Sequence, residues 1–307
     1  MVLAALFLWL AQVPIPMPAN ILDRLPPSAL TAGQRSEIDR ALAKREYAHI
    51  EDVVGAAAKA NPAQARVLHV FLGQLEFLAG RLEQAERAFR AAESIAPLDA
   101  RDRFTLAMVL VRTGDVKSAR AELDALNRAE PSSPLYIYWL GRIDYGQRRY
   151  DAAVARFQRV IELDPRSYRA YDNLGLAFDM QGKSEDAEAA LEKGVELNRA
   201  QPKPSPWPPE NLGFLLLRLQ KYAGAERALR EALKYDPDLA IAHYHLGRVL
   251  EAENRNEVAA AEYRAAMELD TASAEPCYSL GRLYRKMSRM KDAEAAFVEY
   301  RKRKAGP

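Results

Sequence analysis

The 307-residue sequence has one cysteine, Cys277, and four histidines. A single thiol excludes an intrachain disulfide framework and any zinc site built from several thiolates. His243 and His245 stand two residues apart, so on one helix they point roughly 200° away from each other and cannot share a metal. No glycine-rich phosphate loop, HExxH or GxSxG elbow is present. Neither sign of charge dominates. The 44 Lys plus Arg and 42 Asp plus Glu leave a balance of +2, which gives no general attraction to nucleic acid. No catalytic residue, metal ligand or cofactor site is expected.

What is present is a period. Leu-Gly pairs occur at Leu72-Gly73, Leu140-Gly141, Leu174-Gly175, Leu212-Gly213, Leu246-Gly247 and Leu280-Gly281. Their glycines are 68, 34, 38, 34 and 34 residues apart, and Leu106-Ala107 sits midway in the first gap. Twelve residues after each small residue comes an alanine, from Ala85 to Ala293. Four further on comes a bulky one: Phe89, Leu123, Phe157, Leu191, Leu229, Tyr263 or Phe297. Pro97, Pro131, Pro165 and Pro237 close four of the units. On this tally residues 1–30 precede the array and 31–65 form a degenerate unit. Residues 66–201 hold four units of 34, 202–205 are a Pro-rich insertion, and 206–307 hold three more units.

Each unit reads as two helices. Leu68, Phe71, Leu72 and Leu75 recur at helical spacing, as do Leu82, Ala85, Ala88 and Phe89. Gly80, or a polar residue elsewhere, breaks the unit in its middle, and the late proline stops the second helix. Ser133-Pro134 and Asp115 read as helix starts. The Gly and Ala positions let two helix axes approach while Phe or Leu fills the remaining space. One unit cannot bury its own apolar face, so neighbours must stack.

This pattern resembles the tetratricopeptide repeat family, strongly over 66–307 and weakly over 31–65. In the weak unit Tyr47, Val54, Ala57 and Pro62 match, but the Leu-Gly pair is missing. The resemblance implies an all-α, right-handed superhelical solenoid of antiparallel helix pairs. It also implies that the first helices line a concave groove, which binds a peptide or partner protein. By repeat register the groove-facing set includes Arg101, Tyr138, Trp139, Arg142, Tyr145, Arg169, Asn173, Asn211, Tyr244, His245, Arg248, Tyr278 and Arg282. Asp172, Asp179, Glu210, Glu251 and Glu275 fall in the same set. Arg and Asn suit carboxylates or peptide groups, and Tyr and Trp supply contact area at low entropy cost. Some family members grip a C-terminal carboxylate with Lys, Arg and Asn from successive first helices. Arg142, Arg169, Asn173 and Asn211 are the nearest counterparts, without the full basic arrangement and with the insertion between the two asparagines.

Three segments stand apart. Residues 2–11 are uncharged and apolar. As a helix they would span about 15 Å against a bilayer core of roughly 30 Å, so they suit a secretory h-region rather than a transmembrane span. Pro14, Pro16 and Pro18 follow, with Ala19 a cleavage position, although no Lys or Arg precedes the run. Export to the periplasm or beyond is the expectation from residues 2–19; the alternative is a cytoplasmic protein whose apolar segment packs on the first repeat. Residues 20–30, with Pro26 and Pro27, read as a spacer. From Gln201 to Pro209 the chain is either a lengthened loop or a presentation of Trp207 as an exposed binding anchor.

The resulting function is a non-catalytic scaffold that takes a protein or peptide, with acidic or C-terminal carboxylate groups matched to the groove arginines. Nucleic acid is not an expected partner. The alternative is a self-associating assembly component that uses its terminal repeats, where Phe297, Val298 and Tyr300 leave an apolar end-face. Cys277 is expected to be a buried structural thiol. Arg301-Lys302-Arg303-Lys304 places favourable charge at the end of the last helix.

Overall fold

The computed structural model describes residues 21–306. Among them are sixteen α-helices and no strand. The degenerate unit is α1 (Ala32–Lys44) and α2 (Tyr47–Ala60). Then come α3 (Pro62–Leu78) with α4 (Leu82–Ile95), α5 (Ala100–Thr113) with α6 (Val116–Ala129), and α7 (Pro134–Gly146) with α8 (Tyr150–Leu163). After them follow α9 (Tyr168–Met180) with α10 (Ser184–Arg199), and α11 (Trp207–Arg218) with α12 (Tyr222–Tyr235). The last pairs are α13 (Ala240–Ala252) with α14 (Asn256–Leu269), and α15 (Glu275–Lys286) with α16 (Met290–Ala305). The chain forms two compact units, one ending at Gln147 and one beginning at Arg148. The insertion at 202–205 lies inside the second.

Pro62 opens α3 instead of closing the unit before it, because a first-turn proline gives up no hydrogen bond. Asp115 caps α6 as expected, accepting from the Ser118 N–H at 3.0 Å. Ser133 holds the N-cap position of α7 with Pro134 behind it, but its side chain makes no capping bond.

The two helices of each pair are joined by a turn with one left-handed residue. Arg45, Gly80, Gly114, Arg148, Gly182, Gln220, Asn254 and Ser288 all have φ between +58° and +88°. At most of them the following N–H folds back, as in Arg81 to Glu76 O at 2.8 Å and Lys221 to Leu216 O at 2.9 Å. This is the Schellman closure, which satisfies carbonyls that the ending helix leaves without partners. Only three of the eight positions are glycine, so the other five carry backbone strain.

Within the pairs that lie inside one unit, the small residue of the first helix faces the bulky residue of the second. A Cβ added at Gly73 would lie 2.8 Å from the Phe89 ring, and at Gly247 it would lie 2.7 Å from the Tyr263 ring. At Gly175 and Gly213 it would approach Leu191 and Leu229 to 2.6 Å. The periodic alanines Ala85, Ala119, Ala153, Ala187, Ala225 and Ala259 are fully buried beside these contacts. The spacing of small and large residues thus performs the packing role read from the sequence.

The first unit builds its core from Ile38, Ile50, Val54, Leu68 and Phe71, joined by Ile21, Leu22, Leu25, Ala29 and Leu30. The segment read as a spacer is therefore core. Two short 3-10 turns, Ile21–Arg24 and Pro27–Ala29, bend it onto the helices. The Arg35 guanidinium pins it there, donating to Leu25 O at 3.1 Å and Pro26 O at 2.7 Å. In the second unit the core runs from Ala187 and Leu191 through Leu215, Leu229, Leu246 and Tyr263 to Leu280 and Leu283.

Two substitutions test this account by urea unfolding of the full chain. Gly213→Ala forces the Leu229 contact apart and should cost about 1–3 kcal/mol. Gln220→Gly relieves a left-handed side chain and should add roughly 0.5–1 kcal/mol, the strain removed less the entropy that glycine adds to the unfolded chain.

Candidate functional site

The first helices present the residues selected by register, and each unit can be followed along them. In the first unit a polar chain crosses from the N-terminal segment to α5. Arg24 Nη1 donates to Gln74 Oε1 at 2.6 Å, and Gln74 Nε2 donates to Asp102 Oδ1 at 2.6 Å. Asp102 is buried, and that burial raises its carboxyl above the usual range. Further along lies an aromatic cluster. Phe104 packs on Tyr136 at 5.9 Å and on Trp139 at 6.5 Å, while Tyr138 meets Trp139 edge-on at 5.8 Å. The Arg142 guanidinium lies over the Trp139 ring at 5.2 Å.

The expected platform of aromatics and arginine therefore exists, but it is sunk into the protein. Tyr138, Trp139 and Arg142 are all buried, and Tyr145 is half-buried, so they support the face more than they present it. Arg101 alone of the first unit's selected residues is exposed. Phe104 and Tyr136 belong to the cluster but were missed, although Phe104 shares the register position of Tyr138.

In the second unit the selected polar groups bond to one another across successive first helices. Asn211 Nδ2 donates to Asp172 at 3.0 and 3.2 Å, linking α11 to α9. Arg218 pairs with Asp179 across the same two helices. His245 Nδ1 lies 2.7 Å from Glu210 Oε1, both residues are buried, and the imidazole stacks on Phe214 at 4.5 Å. Arg282 reaches Glu251 at 3.4 Å. Asn173 donates to the Arg169 carbonyl at 2.8 Å, within its own helix. These bonds tie Asn173, Asn211 and His245 into the array. Buried polar groups require partners, and the neighbouring repeat supplies them. Exposed on this face are Arg169, Arg282 and Tyr278, while Arg248 is half-buried over Tyr244 at 5.9 Å.

Trp207 departs from the exposed-anchor alternative. It opens α11 and packs half-buried against the core rather than standing exposed. The insertion before it is folded back by Asn198, which donates to Ser205 O at 2.8 Å and accepts from Ser205 N at 2.9 Å. His243 pairs with Glu262 at 2.6 Å, so the two nearby histidines serve different carboxylates. Cys277 is buried as expected, and burial pushes its thiol up. In the basic end of α16, Arg303 is structural: it donates to Met267 O at 3.1 Å, Asp270 O at 2.9 Å and Ser273 O at 3.2 Å. No group of three metal-binding side chains occurs among the described residues. No described helix is long and apolar enough to cross a membrane.

Comparison with known proteins adds to this geometry. Profiles of the tetratricopeptide repeat match residues 140–203 and 211–274, and residues 76–142. The type IV pilus assembly protein PilF of Pseudomonas aeruginosa is 31% identical over 144 residues, covering 45% of this chain and 56% of that protein. The BBSome complex member BBS4 of Bos taurus is 23% identical over 236 residues, 76% of this chain and 44% of that protein. The chain thus spans about half the length of these curated relatives. Among solved structures, PilW, a widely conserved type IV pilus biogenesis factor, matches with a TM-score of 0.61 at 16% identity, covering 68% of this chain and 94% of that one. A tetratricopeptide repeat protein from Parabacteroides merdae gives 0.63 at 17% identity, covering 85% and 98%. At these identities the solved structures speak for the fold.

One buried acid on α3 makes a prediction. Glu76 is 1% exposed, with Arg81 Nε 3.0 Å from Oε2, and burial raises its carboxyl from 4.5 to about 6. A raised acid holds its proton more tightly folded than unfolded. Its contribution to stability therefore falls as pH rises between about 4.5 and about 6. Urea unfolding at pH 4 and pH 7 should show a drop in the wild type that is roughly 1–2 kcal/mol larger than in Glu76→Gln.

Proposed function

Since the chain belongs to the tetratricopeptide repeat family, we propose that it is a non-catalytic scaffold whose first-helix face takes a peptide or a partner protein. The observation that carries this reading is the division of labour on that face. Most of its polar groups hold neighbouring repeats together, while Arg101, Arg169 and Tyr278, and Arg282 beyond its 3.4 Å contact with Glu251, stay exposed. Such a surface suits a partner with acidic groups, because exposed arginines bind carboxylates through paired donors. The likeness to a pilus assembly protein supports a role in building a larger structure. Residues 2–19, which lie outside the described residues, support an exported location.

Affinity capture with the full chain tests this reading. The double change Arg169→Glu and Arg282→Glu should weaken binding of the recovered partner at least tenfold, with the helical signal unchanged. Equal binding would remove the basic face from the account.

A second reading has its own observation. Tyr278 is 45% exposed, Met290 63% and Val298 52%, all in the last repeat. Exposed apolar side chains gathered on one repeat suit contact with a second copy. Light scattering over a wide concentration range decides: a mass rising from 34.4 kDa towards twice that value supports self-association. A mass that stays at the monomer value excludes it.

A further inference from the structure

We infer that His243 is a proton-dependent fastener at the joint between two repeats: its imidazolium ties the turn before α13 to α14, and loss of the proton lets that turn go.

His243 is half-buried in the first turn of α13, and each of its ring nitrogens meets an acceptor. Nδ1 lies 2.6 Å from Glu262 Oε2 on α14, and Nε2 lies 2.9 Å from the carbonyl oxygen of Pro237 in the turn. A carbonyl oxygen only accepts hydrogen bonds, and so does an ionised carboxylate. Neutral imidazole has one N–H for these two acceptors, so either tautomer sets one lone pair against another. The imidazolium donates to both. When a proton leaves to solvent, the remaining N–H stays with the charged partner, because bonds to ionised acceptors are about twice as strong as neutral ones. Nδ1 then keeps Glu262, and Pro237 is released. The turn ends at Leu239, which is buried in the core of the second unit. Its release therefore loosens the seat of α13 on the preceding pair.

The surroundings favour the charged ring. The hydrogen bond to Glu262 outweighs burial, and the Pro237 carbonyl and the charges of Glu262 and Asp238 add to it, so the imidazole rises above 6.5. At the end of α12, Tyr235 is bonded to Glu231, Arg199 engages Glu231, and Lys234 is exposed. From α11, Glu210 goes to His245, which points away from His243. At the same repeat position in α3, His69 feels burial alone, which lowers its imidazole.

At other joints arginine holds the turn. Arg66 donates to Ala96 O at 3.4 Å and Pro97 O at 2.7 Å, and Arg303 donates to the carbonyls of Met267, Asp270 and Ser273. Arginine keeps its charge at every pH a protein meets, whereas histidine loses it near neutrality. The joint before α13 is thus held by a cation that solvent can discharge. A raised imidazole adds stability below about 6.5, and that stability fades as pH climbs through the folded midpoint.

The test is NMR of the isotope-labelled full chain from pH 5.5 to pH 9. The His243 ring, identified by its absence in His243→Gln, should titrate with a midpoint above 6.5, and Glu262→Gln should bring that midpoint down. Between pH 6 and pH 8.5, amide exchange corrected for its intrinsic pH dependence should rise about fivefold or more at residues 239–243. It should stay level at residues 273–277, the matching segment before α15, where Arg303 holds the turn. His243→Gln should abolish the rise. If that variant fails to fold, the ring resonance that moves in Glu262→Gln identifies His243, and the two turns of the native chain are compared directly. A midpoint at or below 6.5, an equal rise at both turns, or a rise that persists in His243→Gln would overturn the inference.

Discussion

The structure depends on one steric arrangement repeated along the chain: a side chain of zero or one carbon on the first helix facing a large one on the second. Where Gly213 meets Leu229, or Gly247 meets Tyr263, the space is too small for even a methyl group. That closeness brings the two helices of a pair together and sets where each next pair can rest. The left-handed turn residue follows from it, because closely packed antiparallel helices need a short reversal. The chain accepts the strain even where the residue is Arg45, Gln220 or Asn254.

Regular stacking then shapes the chemistry of the first-helix face. Polar groups of adjacent repeats, at offset register positions, come within bonding distance, and several pair: Gln74 with Asp102, Asn211 with Asp172, His245 with Glu210. These pairs fix one repeat against the next and remove their donors from any ligand. Recognition is left to the arginines and tyrosine that stay exposed on this face, Arg282 among them although it also reaches Glu251. Arginines also act away from this face, where Arg35 and Arg303 hold loop carbonyls and fasten the two ends of the described chain.

The hairpins and their register were legible because their determinants are local and repeated. A small residue, an alanine twelve later and a bulky residue four beyond that identify each pair. Much of the face was not legible, because exposure depends on partners far apart in sequence. Asn211 looks like a free donor until Asp172, 39 residues earlier, is placed beside it. Trp207 looks like an exposed anchor among prolines until Asn198 folds the loop back. Residues 21–30 looked like a spacer because Pro26 and Pro27 interrupt any periodicity, yet Leu22 and Leu25 enter the core through two short turns. At Arg148 and Gln220 the turn carries no glycine to announce it, and only the repeat spacing marks the position.

The claim at the centre is that one face of the array, built by the first helices, is where another polypeptide sits. Site-specific photo-cross-linking measures this directly, with a photoreactive side chain placed in turn at Arg169 and Tyr278 on first helices and at Arg230 and Val258 on second helices. All four positions are exposed. The account predicts adducts with a partner chain from Arg169 and Tyr278 and none from Arg230 and Val258. Adducts from the second-helix positions, with none from the first, would contradict it.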